Sequence, residues 1–347
     1  MNESILKASI RSFFIALFTI AGIILGIFFI AALLVGGFSS TTDGSPELNY
    51  AYTPEIHPNA EGIRKILPTT APVVLKLNIH GIIGMDSLTR KGVAQQLVES
   101  RERAFENDRV EAILLSIDSP GGTVIDSDGI YREIKAYKEQ YKVPVYAFID
   151  GFCASGGYYI ASAADKVFAS DASLIGSIGV LMPSIMNFSE LMEKIGVQSL
   201  TLYDGKGKDN LNPFRPWRAG EEENIKESIE YYYKMFVNVA TANRPTLNKE
   251  KLVEEYGANI YPAEIAQQKG YIDESNSSLN QVLTLLTEKI GVTDNHYQVV
   301  ELDNKNWFSE LFRSQLSLLS GKITHQIALT PELSPELSNQ YLYLYRP

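Results

Sequence analysis

The pattern of apolar and polar positions divides the chain into three textures. Residues 13–38, "FFIALFTIAGIILGIFFIAALLVGGF", run for 26 positions without a charge. At about 1.5 Å per residue such a helix reaches ~39 Å, more than the ~30 Å hydrocarbon core of a bilayer. The run predicts a membrane anchor. A cleaved signal peptide is the alternative, but its apolar core spans only about 7–15 residues. Residues 39–71 carry four prolines and many Ser, Thr and Asn, which reads as a linker.

From residue 72 onward, short apolar runs alternate with helical spacing. "VVLKLNIHGIIG" (73–84), "VEAILLSID" (110–118) and "VPVYAFID" (143–150) read as buried strands. Between them, residues 87–108 place Leu88, Val93, Leu97 and Phe105 on one helical face, and residues 125–141 form a second helix. "KVFAS" and "SLIGSIGV" are shorter strand-like pieces, and helices dominate after about residue 220. The alternation predicts an α/β domain with parallel sheet character. The tail "NQYLYLYRP" alternates Tyr and Leu like a strand; pairing with a sheet edge is the simpler expectation, occupation of a groove the other.

Charge and composition narrow the partners. A net charge of −10 over 347 residues disfavours nucleic acid. One cysteine permits no internal disulfide, and His57, His80, His296 and His325 show no metal-ligand spacing, so neither a metal nor a cofactor is expected. Lys7 and Arg11 precede the apolar run and Asp43 and Glu47 follow it, which directs the bulk of the chain outward from the cytoplasm. No cysteine follows the run, so a lipoprotein anchor is excluded.

Candidate chemistry sits at two glycine-rich turns beyond strand ends, where such sheets place their sites. The first is Asp118-Ser119-Pro120-Gly121-Gly122. By itself it is ordinary turn chemistry. The second puts Ser155 before Gly156-Gly157 and a helix. A serine there is usually an N-cap. It is also where a nucleophile would have an unpaired helix N–H beside it for an oxyanion. Cys153 reads as small buried packing. His80, within the first strand, reads as a core or strand-end residue. A serine needs a base, and Lys166, Lys194, Lys206 and Lys208 are all possible by spacing. Lys166 reads as a complement to the C-terminal dipole of the helix after Ser155.

Taken together, these segments resemble the bacterial signal peptide peptidase A (SppA) family, in its short, single-domain, membrane-anchored form. "DSPGGTV" (118–124), "ASGGYYIASAADKVFA" (154–169), "SLIGSIGV" (173–180) and "GKGKDNLNPF" (205–214) carry the resemblance, with a weaker match at "GANIYPAEIAQQKGYIDE" (257–274). It implies a Ser–Lys dyad of Ser155 and Lys208, with Ser177 orienting the lysine and the Gly122 and Gly156 amides forming the oxyanion hole. It implies a crotonase-like, protease-Clp-like spiral, assembled into homo-oligomeric rings, octamers by analogy, whose dyad is completed between neighbouring protomers. The implied substrates are cleaved signal peptides and other small hydrophobic peptides, met at the outer side of a bacterial cytoplasmic membrane by a single-pass protein.

The expected organisation is a cytoplasmic N-terminus (1–12), the anchor (13–38), the linker (39–71), a peptidase domain (72–290) and a C-terminal extension (291–347). Leu174-Ile175 and Ala258-Asn259 depart from the family's common residues. An inactive scaffold and a crotonase-type acyl-CoA enzyme are the competing functions on this fold.

Overall fold

The computed structural model describes residues 11–27, 52–303 and 340–345. Two compact units result, Met1–Asn49 and Tyr50–Pro347. In the first, residues 11–27 form helix α1 with nearly every side chain exposed. Among the described residues no helix is long and apolar enough to cross a membrane. Residues 28–38 of the expected anchor lie outside the described residues.

The second unit is a mixed α/β fold on one nine-stranded sheet. In chain order its elements are β1 (Thr53–His57), β2 (Val73–Ile83), α2 (Arg90–Glu99), β3 (Val110–Thr123), α3 (Val124–Tyr141), β4 (Val145–Ala154), α4 (Gly156–Ala161), β5 (Lys166–Ala169), β6 (Leu174–Gly176), α5 (Ser189–Lys194), α6 (Glu223–Asn243), α7 (Lys249–Lys251), β7 (Ile260–Pro262), α8 (Ala263–Gln268), α9 (Leu279–Lys289), β8 (Gln298–Asp303) and β9 (Leu342–Leu344). The sheet order is β1-β8-β2-β3-β4-β6-β7, with β5 on β4 and β9 on β3. β8, β2, β3, β4, β5 and β6 run parallel; β1 and β7 close the edges antiparallel.

The two faces of the sheet are dressed differently. Leu75, Leu77 and Ile79 of β2 and Ile113, Leu115 and Ile117 of β3 pack with α2, α3, α4 and α6 in the larger core. On the other face Val74, Ala112 and Leu114 meet Val282, Leu283 and Leu286 of α9. That second layer covers only the first halves of the strands. Beyond it the same face carries Lys76, Asn78, Ser116 and Glu301, tied by Lys76–Glu301 (3.1 Å) and Asn78–Glu301 (2.5 Å) contacts. The alternation of strand side chains thus yields full burial near the strand starts and a polar face toward their ends.

Three local expectations change. The helix expected over 87–108 is confined to α2, capped by Thr89 Oγ1 accepting from Gly92 N at 3.1 Å. After Ser100 the chain takes left-handed backbone at Arg103, Asn107 and Asp108, which ends the helix, and Phe105 is buried from a short 3₁₀ turn. Segments read as linker and extension supply sheet strands: β1 pairs with β8, and the buried Arg109 donates to the Ala71 carbonyl (2.7 Å) and Gln298 Oε1 (2.6 Å). With one large aliphatic residue in five, "TPEIH" has no strand pattern of its own and is held by its edge position. Finally, Ser119-Pro120-Gly121-Gly122 is not a turn. β3 runs through it to Thr123, because Ile82 and Ile83 of β2 pair on one side and β9 on the other.

Candidate active site

The site forms where β3, β4 and β6 end together. Ser155 follows β4 directly and is the N-cap of α4. Its backbone has φ 55° and ψ −117°, a region L-residues avoid at a cost of about 1–3 kcal/mol. Two bonds hold it there: Ser155 N donates to the Gly176 carbonyl (2.8 Å), and Tyr159 N donates to the Ser155 carbonyl (2.9 Å). The side chain is fully buried, and its Oγ has no hydrogen-bond partner among the described residues.

The far end of α4 is also fixed. Arg244, at the end of α6, donates to the Ala164 (2.8 Å) and Ala161 (3.4 Å) carbonyls and pairs with Asp273 (3.1 Å). Lys166, expected to serve this helix end, instead leads β5 and pairs with Asp273 at 2.8 Å. An arginine from a helix about 80 residues away does the capping, a partner no local pattern signals.

Gly121, the neighbour of Gly122, approaches Gly156 across the β3–α4 junction. Gly156 N is the first amide of α4, where helix N–H groups lack intrahelical partners. Gly121, at φ +104°, passes so close that a Cβ there would lie 2.8 Å from Gly156 N and 1.9 Å from the Tyr343 carbonyl oxygen. Only glycine fits. Ser177 is next to Gly176, which holds Ser155; it is nearly buried, has φ 55°, and donates from its amide to the Asn259 carbonyl at 2.8 Å. Asn259, one of the departures noted above, keeps that backbone contact.

The tail lies across this junction. β9 runs antiparallel to the end of β3, with Gly122 opposite Tyr343. Val124 N donates to the Tyr341 carbonyl (3.0 Å) and Tyr345 N to the Pro120 carbonyl (2.7 Å). The two-residue period of an antiparallel ladder makes Gly122 and Tyr343 a hydrogen-bonded pair, so the Gly122 amide faces the Tyr343 carbonyl. On its other side Leu342 exchanges bonds with Leu181 (3.0 and 3.1 Å). The Tyr343 ring sits against Phe236 (4.6 Å between centroids) and Tyr159 (5.2 Å), and its hydroxyl donates to the Tyr232 carbonyl (2.7 Å). Burial pushes the Tyr343 phenol above its ordinary pKa, which keeps it a donor. β9 is a peptide strand clamped in a cleft, not an outer edge strand.

The alternative groups are elsewhere or inert. Cys153 is wholly buried under the turn, and burial pushes its thiol up, away from the reactive thiolate. His80 lies 3.0 Å from Ser116 Oγ, and burial, then Lys76, lowers its pKa. Lys208 is exposed on an irregular turn, where its amide donates to the Gly205 carbonyl at 3.2 Å. Ser155 Oγ has no partner among the described residues, so the two are not hydrogen-bonded within this chain.

With this geometry in view, the profile of Peptidase family S49 matches residues 137–293, which include both Ser155 and Lys208. The Clp protease profile matches residues 70–175. A Synechocystis protein named "Putative protease slr0021" is 33% identical over 205 residues, covering 59% of this chain and 70% of that protein. The chain belongs to the S49, or signal peptide peptidase A, family. Another relative, a "Putative signal peptide peptidase SppA" of Enterococcus faecium, is 33% identical over 62% of this chain and 63% of its own length. A "Putative protease MJ0651" of Methanocaldococcus jannaschii is 35% identical over 49% of this chain and 53% of its own. The chain thus spans between about half and two thirds of these two relatives. A solved ClpP1 chain of Listeria monocytogenes superposes with a TM-score of 0.40 at 18% identity, covering 62% of this chain and 95% of that one.

Proposed function

We propose that this protein is a membrane-anchored serine endopeptidase that uses Ser155 and Lys208 to cleave hydrophobic peptides, including signal peptides left in the membrane after their release. The observation that carries the reading is β9, a strand of ordinary polypeptide that crosses the buried, strained Ser155 with a carbonyl presented to the Gly122–Gly156 junction. A substrate strand pairing in the same way would present its scissile carbonyl there.

The chemistry follows. Ser155 Oγ attacks the carbonyl carbon while neutral Lys208 Nζ takes the hydroxyl proton. Charge develops on the carbonyl oxygen, facing the Gly122 and Gly156 amides, and each such donor is worth about 10²–10³ in rate. The Lys208 ammonium then gives its proton to the departing amine. Water, deprotonated by the same lysine, opens the acyl-enzyme and restores Ser155. Ser177, beside the Ser155 anchor, orients the lysine.

Lys208 comes from a neighbouring protomer in this reading. Its own turn is exposed, and the segment around it displays Ile195, Leu200, Leu202, Phe214 and Trp217 to solvent, the last the most covered at 40% exposure. Exposed large apolar side chains gathered in one segment favour an interface there. A ring of identical chains on a Clp-like spiral, an octamer by family analogy, would cover it and complete each site. Residues 13–38 hold the ring on the outer face of a bacterial cytoplasmic membrane, where peptides from the bilayer reach it.

The test is to purify the full-length protein in detergent and assay a fluorogenic hydrophobic peptide. Ser155→Ala and Lys208→Ala are each expected to abolish cleavage while the assembly keeps its size. Full activity in Lys208→Ala would remove the dyad; full activity in Ser155→Ala would remove the serine mechanism.

A further inference from the structure

The Lys208 turn is held by a device outside the reacting groups. The segment between α5 and α6 has little regular structure, and Lys208 itself is exposed. The next residue, Asp209, is by contrast buried at 8% exposure. Its carboxylate accepts from Arg215 Nε and Asn212 Nδ2, both at 2.5 Å, and its backbone carbonyl accepts from Arg215 Nη2. The same guanidinium forks onto Glu221, with Nη2 to Oε1 at 2.7 Å and Nη1 to Oε2 at 3.2 Å, and reaches the Pro216 carbonyl at 2.9 Å. Glu221 in turn accepts from Leu211 N at 3.0 Å.

We infer that Arg215 is the positioning residue for the catalytic lysine: it ties the backbone at Asp209 to Glu221 beside the start of α6, and so fixes where Lys208 is presented. The inference rests on Lys208 being the base. The anchor is solid, because α6 buries Phe236, Val237 and Ala240 in the main core. The chemistry needs arginine. Its planar fork can bond two carboxylates and two carbonyls at once, whereas a lysine at 215 would be a single point charge. Hydrogen bonding to Arg215 is the largest cause holding both the Asp209 and Glu221 carboxyls below their ordinary range, so both meet the fork as charged acceptors.

The test compares Arg215→Ala and Lys208→Ala with wild type in the full-length assembled protein. Reactive serines are counted by exhaustive fluorophosphonate labelling. Misplacement of a reacting group by about 1 Å costs on the order of 10²-fold. Arg215→Ala is therefore expected to lose about that factor in kcat, with KM within a few-fold and the final number of labelled Ser155 sites unchanged. Added guanidinium ion at millimolar concentration should restore part of the Arg215→Ala rate and none of the Lys208→Ala rate. A kcat near wild type overturns the inference. So does a loss of activity matched by a loss of labelled sites, which marks a folding role, and so does failure of guanidinium to restore any rate. If Lys208→Ala is itself active, the dyad reading fails first, and that result is distinct from an active Arg215→Ala beside an inactive Lys208→Ala.

Discussion

Ser155 combines three properties at one position: a positive φ, complete burial and a hydroxyl without a partner among the described residues. A structural serine would resolve at least one of these. Strain of this kind, at about 1–3 kcal/mol, persists only where surrounding bonds impose it, here from Gly176 and Tyr159. Glycine carries no such penalty at positive φ, though it costs about 0.5–1 kcal/mol in chain entropy. Ser155→Gly is therefore expected to be inactive yet more stable than wild type by roughly 1 kcal/mol, a rise of about 2–4 °C in Tm by calorimetry. A lower Tm would show that the backbone is not strained. Arg244 is the opposite case, a buried charge whose removal takes the donor from two helix-end carbonyls and leaves Asp273 with Lys166 and the Val167 amide. Arg244→Ala should lose about 1–3 kcal/mol in denaturant unfolding.

Among elements, the end of β3 shows how two strands can share one cleft edge. Gly121 lets backbone approach closely on both sides, and β9 takes up the hydrogen bonds a substrate strand would need. In the proposed reading, tail and substrate compete for the same amides. A chain ending at residue 339 is expected to cleave a fluorogenic peptide roughly tenfold faster at low substrate, if the tail keeps about nine sites in ten closed. A synthetic peptide of the sequence YLYLY should slow that shortened enzyme. Unchanged kcat/KM after truncation would mean that substrates bind along another edge.

At the scale of the whole molecule, the described residues set Ser155 beside the first amide of α4 and leave Lys208 exposed. If each site takes its serine from one chain and its lysine from the next, two inactive variants can rescue one another. Equal co-assembly of Ser155→Ala and Lys208→Ala chains should restore roughly a quarter of wild-type activity, since a site is intact only when both contributions are wild type. Mixed rings with no activity would show that both groups come from one chain.

Much of this was legible locally. Burial of alternate strand residues and the three-to-four spacing of α3 are read from neighbours in the chain, because the same periods govern backbone geometry and sequence. "ASGGYYIASAADKVFA" likewise marks Ser155 directly, since a strand, a serine, two glycines and a helix are consecutive. What tertiary structure decided were contacts between segments far apart. Ser119-Pro120-Gly121-Gly122 is favourable turn chemistry and became strand because β2 and β9 supplied partners. Arg244, not Lys166, capped α4, and Arg215 became the centre of a clamp on Asp209 and Glu221. "YLYLY" announced a strand by its alternation but not the cleft that receives it. A period fixes a residue's own conformation; the partner that satisfies its hydrogen bonds and charge is chosen only when the chain folds back on itself.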